Sequence, residues 1–219
     1  MHRLFNKQED SDFLADALMP GPYRCYLCEE EDVIGGDGLC SECRAKIRYC
    51  PNPSYLAPLD GITIGLQYSE ELSAAIMRFK KYGQREYADF FTQFLSVPAE
   101  WNAEYLVPVP MHPLRKWQRE FNHTELLAAY LSRSVNIPFS TRLLIKTKLS
   151  PEQKGIVDPA ERRRNIRGSF CADPVVKGRR LGLVDDVFTT GATVYECAKV
   201  LKQAGAAKVY LSAVTSPAR

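Results

Sequence analysis

The segment Leu181 to Thr193, LGLVDDVFTTGAT, constrains this chain more than any other. Leu181, Leu183, Val184 and Val187 make the near-continuous apolar run of a strand covered on both faces, as in a parallel sheet. Two adjacent acids, Asp185 and Asp186, stand near the end of that run. The turn Thr189-Thr190-Gly191-Ala192-Thr193 follows, and a helix is expected from about Val194. Such a turn, leading into a helix, aims several backbone N–H groups at one anion, and threonine hydroxyls add donors. Gly191 lets the backbone come close. The paired carboxyls offer two acceptors for a vicinal diol. Strand, acids, small-residue turn and helix, in that order, predict a site for a phosphorylated sugar at the end of a parallel strand. The plainer alternative, exposed turn aspartates before a threonine-capped helix, gives no reason for all the parts occurring together.

Upstream, two C-x-x-C pairs, Cys25–Cys28 and Cys40–Cys43, flank an eleven-residue gap containing Gly35, Gly36 and Gly38. Two facing knuckles supply four thiolates at tetrahedral reach of one Zn²⁺. The gap is shorter than the usual roughly 15–20 residues, but the glycines suit a tight connection. So small a segment has little apolar content, and metal binding would supply its folding energy. A redox dithiol pair and free thiols are the alternatives. No open coordination position is implied, so the expected zinc is structural. Cys50 lacks a C-x-x-C partner and reads as a free thiol or the remnant of a second knuckle.

The prolines Pro51, Pro53 and Pro58 mark a linker and divide the chain into an N-terminal segment, 1–57, and a larger domain, 58–219. In the larger part, strands are expected at 61–68, 142–146 and 208–215, with an edge strand at 170–172, and 105–112 is expected to be a short strand running into a loop, its pairing limited by Pro108 and Pro110. Helices are expected at 69–83, 86–95, from Asn122, from Asp158, and at 194–203. Asn122 followed by Glu125 is a helix-start signature. A short helix is expected within residues 1–20. Strands alternating with helices predict an α/β domain with a mainly parallel sheet.

With 219 residues, 45% hydrophobic and 25% charged, the composition is that of a globular protein, and a net charge of +3 names no partner. No apolar run approaches the roughly 18 residues of a membrane span. Met1 to Pro20 carries four acids and no signal-peptide core, so the chain is expected in the cytoplasm, without membrane insertion. Charge is unevenly placed: residues 142–167 hold eight Lys/Arg against three acids. That stretch, rich in turns, reads either as a basic lid closing on a phosphorylated ligand or as a solvated basic face.

The 181–193 segment resembles the phosphoribosyl pyrophosphate (PRPP) motif of type I phosphoribosyltransferases. The resemblance implies that fold, with Asp185 and Asp186 on the ribose hydroxyls and the loop carrying Val187, Thr189, Thr190, Gly191, Ala192 and Thr193 on the 5′-phosphate. It implies a pyrophosphate loop near Met111, His112 and Arg115, and Mg²⁺ accompanying PRPP. Over residues 23–216 the chain resembles the ComF family of competence proteins, which join a cysteine zinc finger to a phosphoribosyltransferase-type domain. The resemblance is carried by Cys25–Cys43, Ile76-Met-Arg-Phe-Lys80 with Tyr82-Gly83, Val107–His112, Arg119–Asn122, Arg164–Phe170 and Val184–Thr193. Glu120, His123 and Lys146 depart from the family's usual Gly, Gln and Arg. The resemblance implies a role in natural transformation, alongside other competence machinery, handling incoming single-stranded DNA.

Two classes of function stay open on sequence grounds. One is a DNA-handling protein that binds PRPP and touches single-stranded DNA through Lys80, Lys81, Tyr82, Arg162, Arg163 and Arg164. The other is a phosphoribosyltransferase that passes ribose 5-phosphate to an unidentified acceptor and releases pyrophosphate. No acceptor-base pocket is evident, because the zinc module stands where a base-recognising hood is expected. That absence favours binding.

Overall fold

A computed structural model describes residues 24–30, 35–50, 56–82, 85–114, 121–148 and 164–217. The helix expected within residues 1–20 and the helix start at Asp158 lie outside them, as does most of the basic 142–167 stretch. The chain divides into two compact units, Met1–Lys46 and Ile47–Arg219.

The described part of the first unit is organised by its cysteines. Tight turns fold it back on itself: Cys25 N–H donates to the Glu30 carbonyl and Tyr26 N–H to that of Gly38. Gly38 takes a left-handed φ of 77°, as the expected turn requires. Helix α1, Ser41–Lys46, follows and carries Cys43 inward. Arg44 clamps the Asp37 carboxylate with two hydrogen bonds of 2.8 and 2.5 Å. Leu27 and Leu39 are the only aliphatic side chains among the unit's buried described residues. So small an apolar core cannot carry the described part of the unit alone.

The second unit is a four-stranded, wholly parallel sheet in the order β1-β6-β5-β2. The strands are β1 (Gly61–Gln67), β2 (Tyr105–Pro108), β5 (Arg180–Val187) and β6 (Lys208–Ser216). The helices described end to end are α1, then α2 (Glu70–Tyr82), α3 (Arg85–Thr92), α4 (His123–Val135) and α5 (Ala192–Gln203). The last four flank the sheet as crossovers between parallel strands. The inner strands β5 and β6 are buried over almost their whole length, which is why they read as apolar runs. The parallel sheet with flanking helices and a small four-cysteine module agrees with the expected fold class.

Both sheet edges are covered. Outside β1, Tyr49 bridges Leu66 in antiparallel sense, and outside β2, Phe139 bridges Leu106. Leu72, Ile76 and Phe79 line the inner face of α2, as their spacing predicts. Phe79, Phe90 and Phe91 are fully buried and touch as a cluster, with ring centroids 5.6 Å (Phe79–Phe91) and 5.1 Å (Phe90–Phe91) apart.

β2 ends at Pro108 and gives way to the expected loop, since Pro108 and Pro110 cannot donate to a ladder. One expectation changes in detail. Phe170–Ala172 (β4) is a strand but not an edge of the main sheet. It pairs antiparallel with β3, Leu144–Lys146, in a separate two-stranded ribbon. Gly168, with φ of 65°, and Pro174 bound β4 and keep it short.

Gly65 marks a contact that no side chain can enter: a Cβ there would run into the Phe94 carbonyl oxygen. Gly65→Ala is expected to lower stability by about 1–3 kcal/mol. Urea unfolding measures this, and an unchanged midpoint would refute the close approach.

Candidate functional site

The carboxyl end of β5 gathers the chemistry. Residues Arg180–Val187 run between β2 and β6, so Asp185 and Asp186 arrive at the sheet's end already buried. Successive strand residues face opposite sides. Asp186 faces α2 and α4: its Oδ2 lies 2.7 Å from Lys80 Nζ and 3.4 Å from His123 Nε2. Asp185 lies toward α5, where its charge, after burial, pushes the buried Cys197 thiol far up. The acids are also held through the backbone. Asp185 Oδ1 accepts the Asp186 N–H at 3.0 Å, and Asp186 Oδ1 accepts the Val187 N–H at 2.7 Å.

Beyond the acids the chain turns. Phe188 is buried, and its N–H donates to the Thr215 carbonyl. Thr189 is exposed, and Thr190 and Thr193 are half-buried. Gly191 is the N-cap of α5 with φ of 72°. Its backbone is wedged so tightly that a Cβ would lie 2.9 Å from Leu56 Cδ2 and 3.0 Å from the Phe188 ring. Glycine is thus required on two counts, conformation and space. The loop opens onto the N-terminus of a twelve-residue helix.

Parallel register sets the β2 exit loop beside this turn. Pro108 pairs with Val184, and Val109 N–H donates to the Val184 carbonyl. Met111 and His112 follow, both half-buried. His112 Nδ1 accepts the Leu114 N–H at 3.2 Å, leaving Nε2 to carry the proton in the neutral ring. Arg115, Arg162 and Arg163 lie outside the described residues, as does the Tyr82 side chain. Arg164 and Lys81 are exposed, whereas Lys80 reaches inward to Asp186.

His123 and Thr124 join this neighbourhood without having been assigned a role from sequence. The helix-start signature led to them: Asn122 caps α4, its Oδ1 accepting the Thr124 N–H, and its amide donates to Glu125. Thr124 Oγ1 donates to the Val109 carbonyl at 2.8 Å, tying α4 to the β2 exit. The cap was legible, but its place over Asp186 was not.

Burial and the neighbouring Asp186 charge push the Asp185 carboxyl well above the usual carboxylate range. Burial acts on Asp186 in the same sense, but Lys80 and then His123 outweigh it and hold that carboxyl down. One acid of the pair therefore holds its proton more readily than the other.

In the first unit the Sγ atoms of Cys25, Cys28, Cys40 and Cys43 all lie within 4.8 Å of one another. Tetrahedral zinc with bonds of about 2.3 Å separates its sulfurs by about 3.8 Å, the Cys28–Cys40 distance being 3.8 Å. The Cys43 N–H also points at Cys40 Sγ, at 3.4 Å. The donor set fits a structural zinc ion. Among the described residues no other group of metal-ligating side chains comes together, and no helix is long and apolar enough to cross a membrane.

Fold and site thus define an α/β protein with a parallel sheet, an acid-and-glycine turn at its carboxyl edge, and a four-cysteine module. The chain belongs to the competence protein F family. It is 31% identical to Competence protein F of Haemophilus influenzae, over 85% of this chain and 94% of that protein. It is 28% identical to DNA utilization protein YhgH of Escherichia coli, over 88% and 96% of the two chains. No protein-family model matches. Solved structures similar to it include a glutamine phosphoribosylpyrophosphate amidotransferase from B. subtilis complexed with ADP and GMP. That match has 22% identity and a TM-score of 0.37, covering 57% of this chain and 24% of that one. At such a TM-score the likeness adds nothing to the topology described above.

Cys43→Ser is expected to reduce zinc from one ion per chain to a substoichiometric level and to loosen the first unit. Elemental analysis by mass spectrometry measures the metal, and full occupancy in the variant would exclude four-sulfur ligation. Asp185 generates a second expectation. An acid whose folded-state value is raised confers stability below its unfolded-state value, and that stability is lost as pH rises through the folded one. On this account the wild type loses stability from about pH 4 upward. Asp185→Asn keeps an acceptor for the Asp186 N–H and removes that loss. The difference in melting temperature should widen in the variant's favour from about pH 5 to about pH 8. A difference independent of pH would mean that Asp185 is already ionised in the folded protein.

Proposed function

We propose that this protein acts in DNA uptake or use on the cytoplasmic side, binding PRPP at the end of β5 and single-stranded DNA on its basic surface. The observation that carries the first half is the run Val184–Thr193. A buried strand delivers two acids, and an obligatory glycine then turns the chain into a helix N-terminus. Asp185 and Asp186 leave β5 on opposite faces, so a ribose reached by both sits over the strand's end. The 5′-phosphate would rest in the loop Thr189–Thr193, where backbone N–H groups and the helix dipole favour an anion. Met111, His112 and Arg115 would take the pyrophosphate, with Mg²⁺ brought in by PRPP itself. The phosphoribosyltransferase-type reading of the second unit, with the domain division near residue 58, belongs to the same proposal.

The second half draws on the relatives, one a competence protein and one a DNA utilization protein by name. Lys81, Tyr82 and Arg162–Arg164 would contact the strand, with Lys80 committed to Asp186. Phosphate neutralisation by such residues is salt-dependent, with a slope of roughly −0.7 per contact on a single strand.

Isothermal calorimetry with PRPP and Mg²⁺ tests the first half. Gly191→Ala should weaken binding at least about tenfold, equivalent to about 1.4 kcal/mol, because the turn must reshape to admit the methyl group. Equal affinity in the variant would remove the loop from the ligand site. The same mixtures, assayed for pyrophosphate with and without single-stranded DNA or free bases, decide between binding and transfer. Release of pyrophosphate would make the protein a phosphoribosyltransferase.

A further inference from the structure

Three elements from separate parts of the chain converge on one carboxyl group. Lys80 comes from the last turn of α2, His123 from the first turn of α4, and Asp186 from the end of β5. Lys80 Nζ stands 2.7 Å from Asp186 Oδ2 with the lysine side chain 25% exposed and the aspartate's 6% exposed. His123 Nε2 approaches the same oxygen at 3.4 Å from the other helix. This is not a surface pair formed by chance encounter. A carboxylate at that depth is costly unless charge is brought to it, and packing holds the helices that carry both partners.

The packing is visible residue by residue. Phe79, beside Lys80, is fully buried. It stacks edge-on against the His123 ring, with centroids 6.2 Å apart and planes at 80°, and packs on Phe91 of α3. One aromatic ring therefore packs on His123 from the helix that carries Lys80. His123 is held further by its neighbours, Asn122 as the cap of α4 and Thr124 through its hydrogen bond to the Val109 carbonyl. Lys80 also gains from its place at the carboxyl end of α2, where the helix dipole favours a cation.

We propose that Lys80 and His123 are positioning residues of the sugar-phosphate site, fixing the Asp186 carboxyl from α2 and α4 so that it meets the ligand in one orientation. The proposal rests on the PRPP reading of the β5 loop. It gives α2 and α4 a part in a site that the strand-loop-helix motif alone does not contain. The lysine acts through Asp186, as the ammonium that lets a buried acid stay an acceptor. Among the described residues, the charged and titratable groups that face Asp186 most closely are Lys80 from α2, His123 from α4 and Asp185 from β5 itself. Without Lys80, burial is left to dominate, and Asp186 takes up a proton as pH falls. An ion pair that merely tied α2 to the sheet would change stability and leave the pH dependence of ligand affinity untouched.

Calorimetric titration of PRPP with Mg²⁺ into the full-length protein, from about pH 5.5 to about pH 8.5, tests this. Wild type, K80M, K80R, D186N and K80M/D186N are compared, each checked for folding by its thermal melt. Relative to wild type, K80M should bind at least about tenfold more weakly at the acid end, and its deficit should shrink as pH rises. K80R should recover most of the loss, and K80M should add less than about threefold in the D186N background. Should K80M fail to fold, H123L against H123Q gives the same reading, since glutamine retains a donor for Asp186 and leucine does not. Wild-type affinity in K80M at every pH, or an equal loss with and without Asp186, overturns the assignment. A wild type that binds no PRPP instead removes the sugar-phosphate reading on which the assignment rests.

Discussion

Charge buried at the end of β5 is the constraint around which the second unit is arranged. Two acids side by side in a central strand cannot both ionise cheaply, since burial and mutual repulsion act together. The fold answers by giving each a different face and different company. Asp186 receives Lys80 and His123, whereas Asp185 lies toward α5 and Cys197. A lysine from α2 must reach the strand end, so α2 must stop where it does and Phe79 must be buried beside it. The phenylalanine cluster is therefore tied to the site as well as to stability. It spaces the helices whose side chains answer the acid.

The turn after the acids depends on a second constraint, and it is steric. Gly191 combines a left-handed backbone with contacts to Leu56 and Phe188 that exclude any side chain. Phe188 is in turn pinned to β6 through the Thr215 carbonyl, and the Phe188 carbonyl accepts the Ser216 hydroxyl. The loop is thus shaped from beneath by the sheet. Preorganisation of this kind would lower the entropy lost on binding the proposed ligand. The first unit solves a different problem. The apolar core of its described residues is small, and four clustered sulfurs fit a structural zinc ion that would add stability.

Features set by neighbouring residues could be read directly from the chain. β5, the acid pair, the glycine turn and α5 follow from apolar periodicity and turn chemistry within fewer than twenty-five residues. The cysteine cluster follows from C-x-x-C spacing, and the cap at Asn122 from its own side chain and Glu125. Family membership was legible for the same reason, because its motifs are short and local. The short extent of β2 was legible as well, because a proline cannot donate to a ladder and limits the strand where it stands, as at Pro108.

What only the tertiary structure decided is how distant segments meet. The order β1-β6-β5-β2, the separate β3–β4 ribbon and the covering of both sheet edges depend on pairings that no spacing encodes. Lys80 had the look of a surface cation, one of two lysines at a helix end, and His123 of a residue without a task. Their meeting at Asp186 required α2, α4 and β5 to be packed together first. Local chemistry, the turn, the cap and the metal knuckle, belongs to the sequence because it is made within a few residues. The charge that answers a buried acid comes from wherever the fold brings a partner close, and in this protein that is two helices remote along the chain.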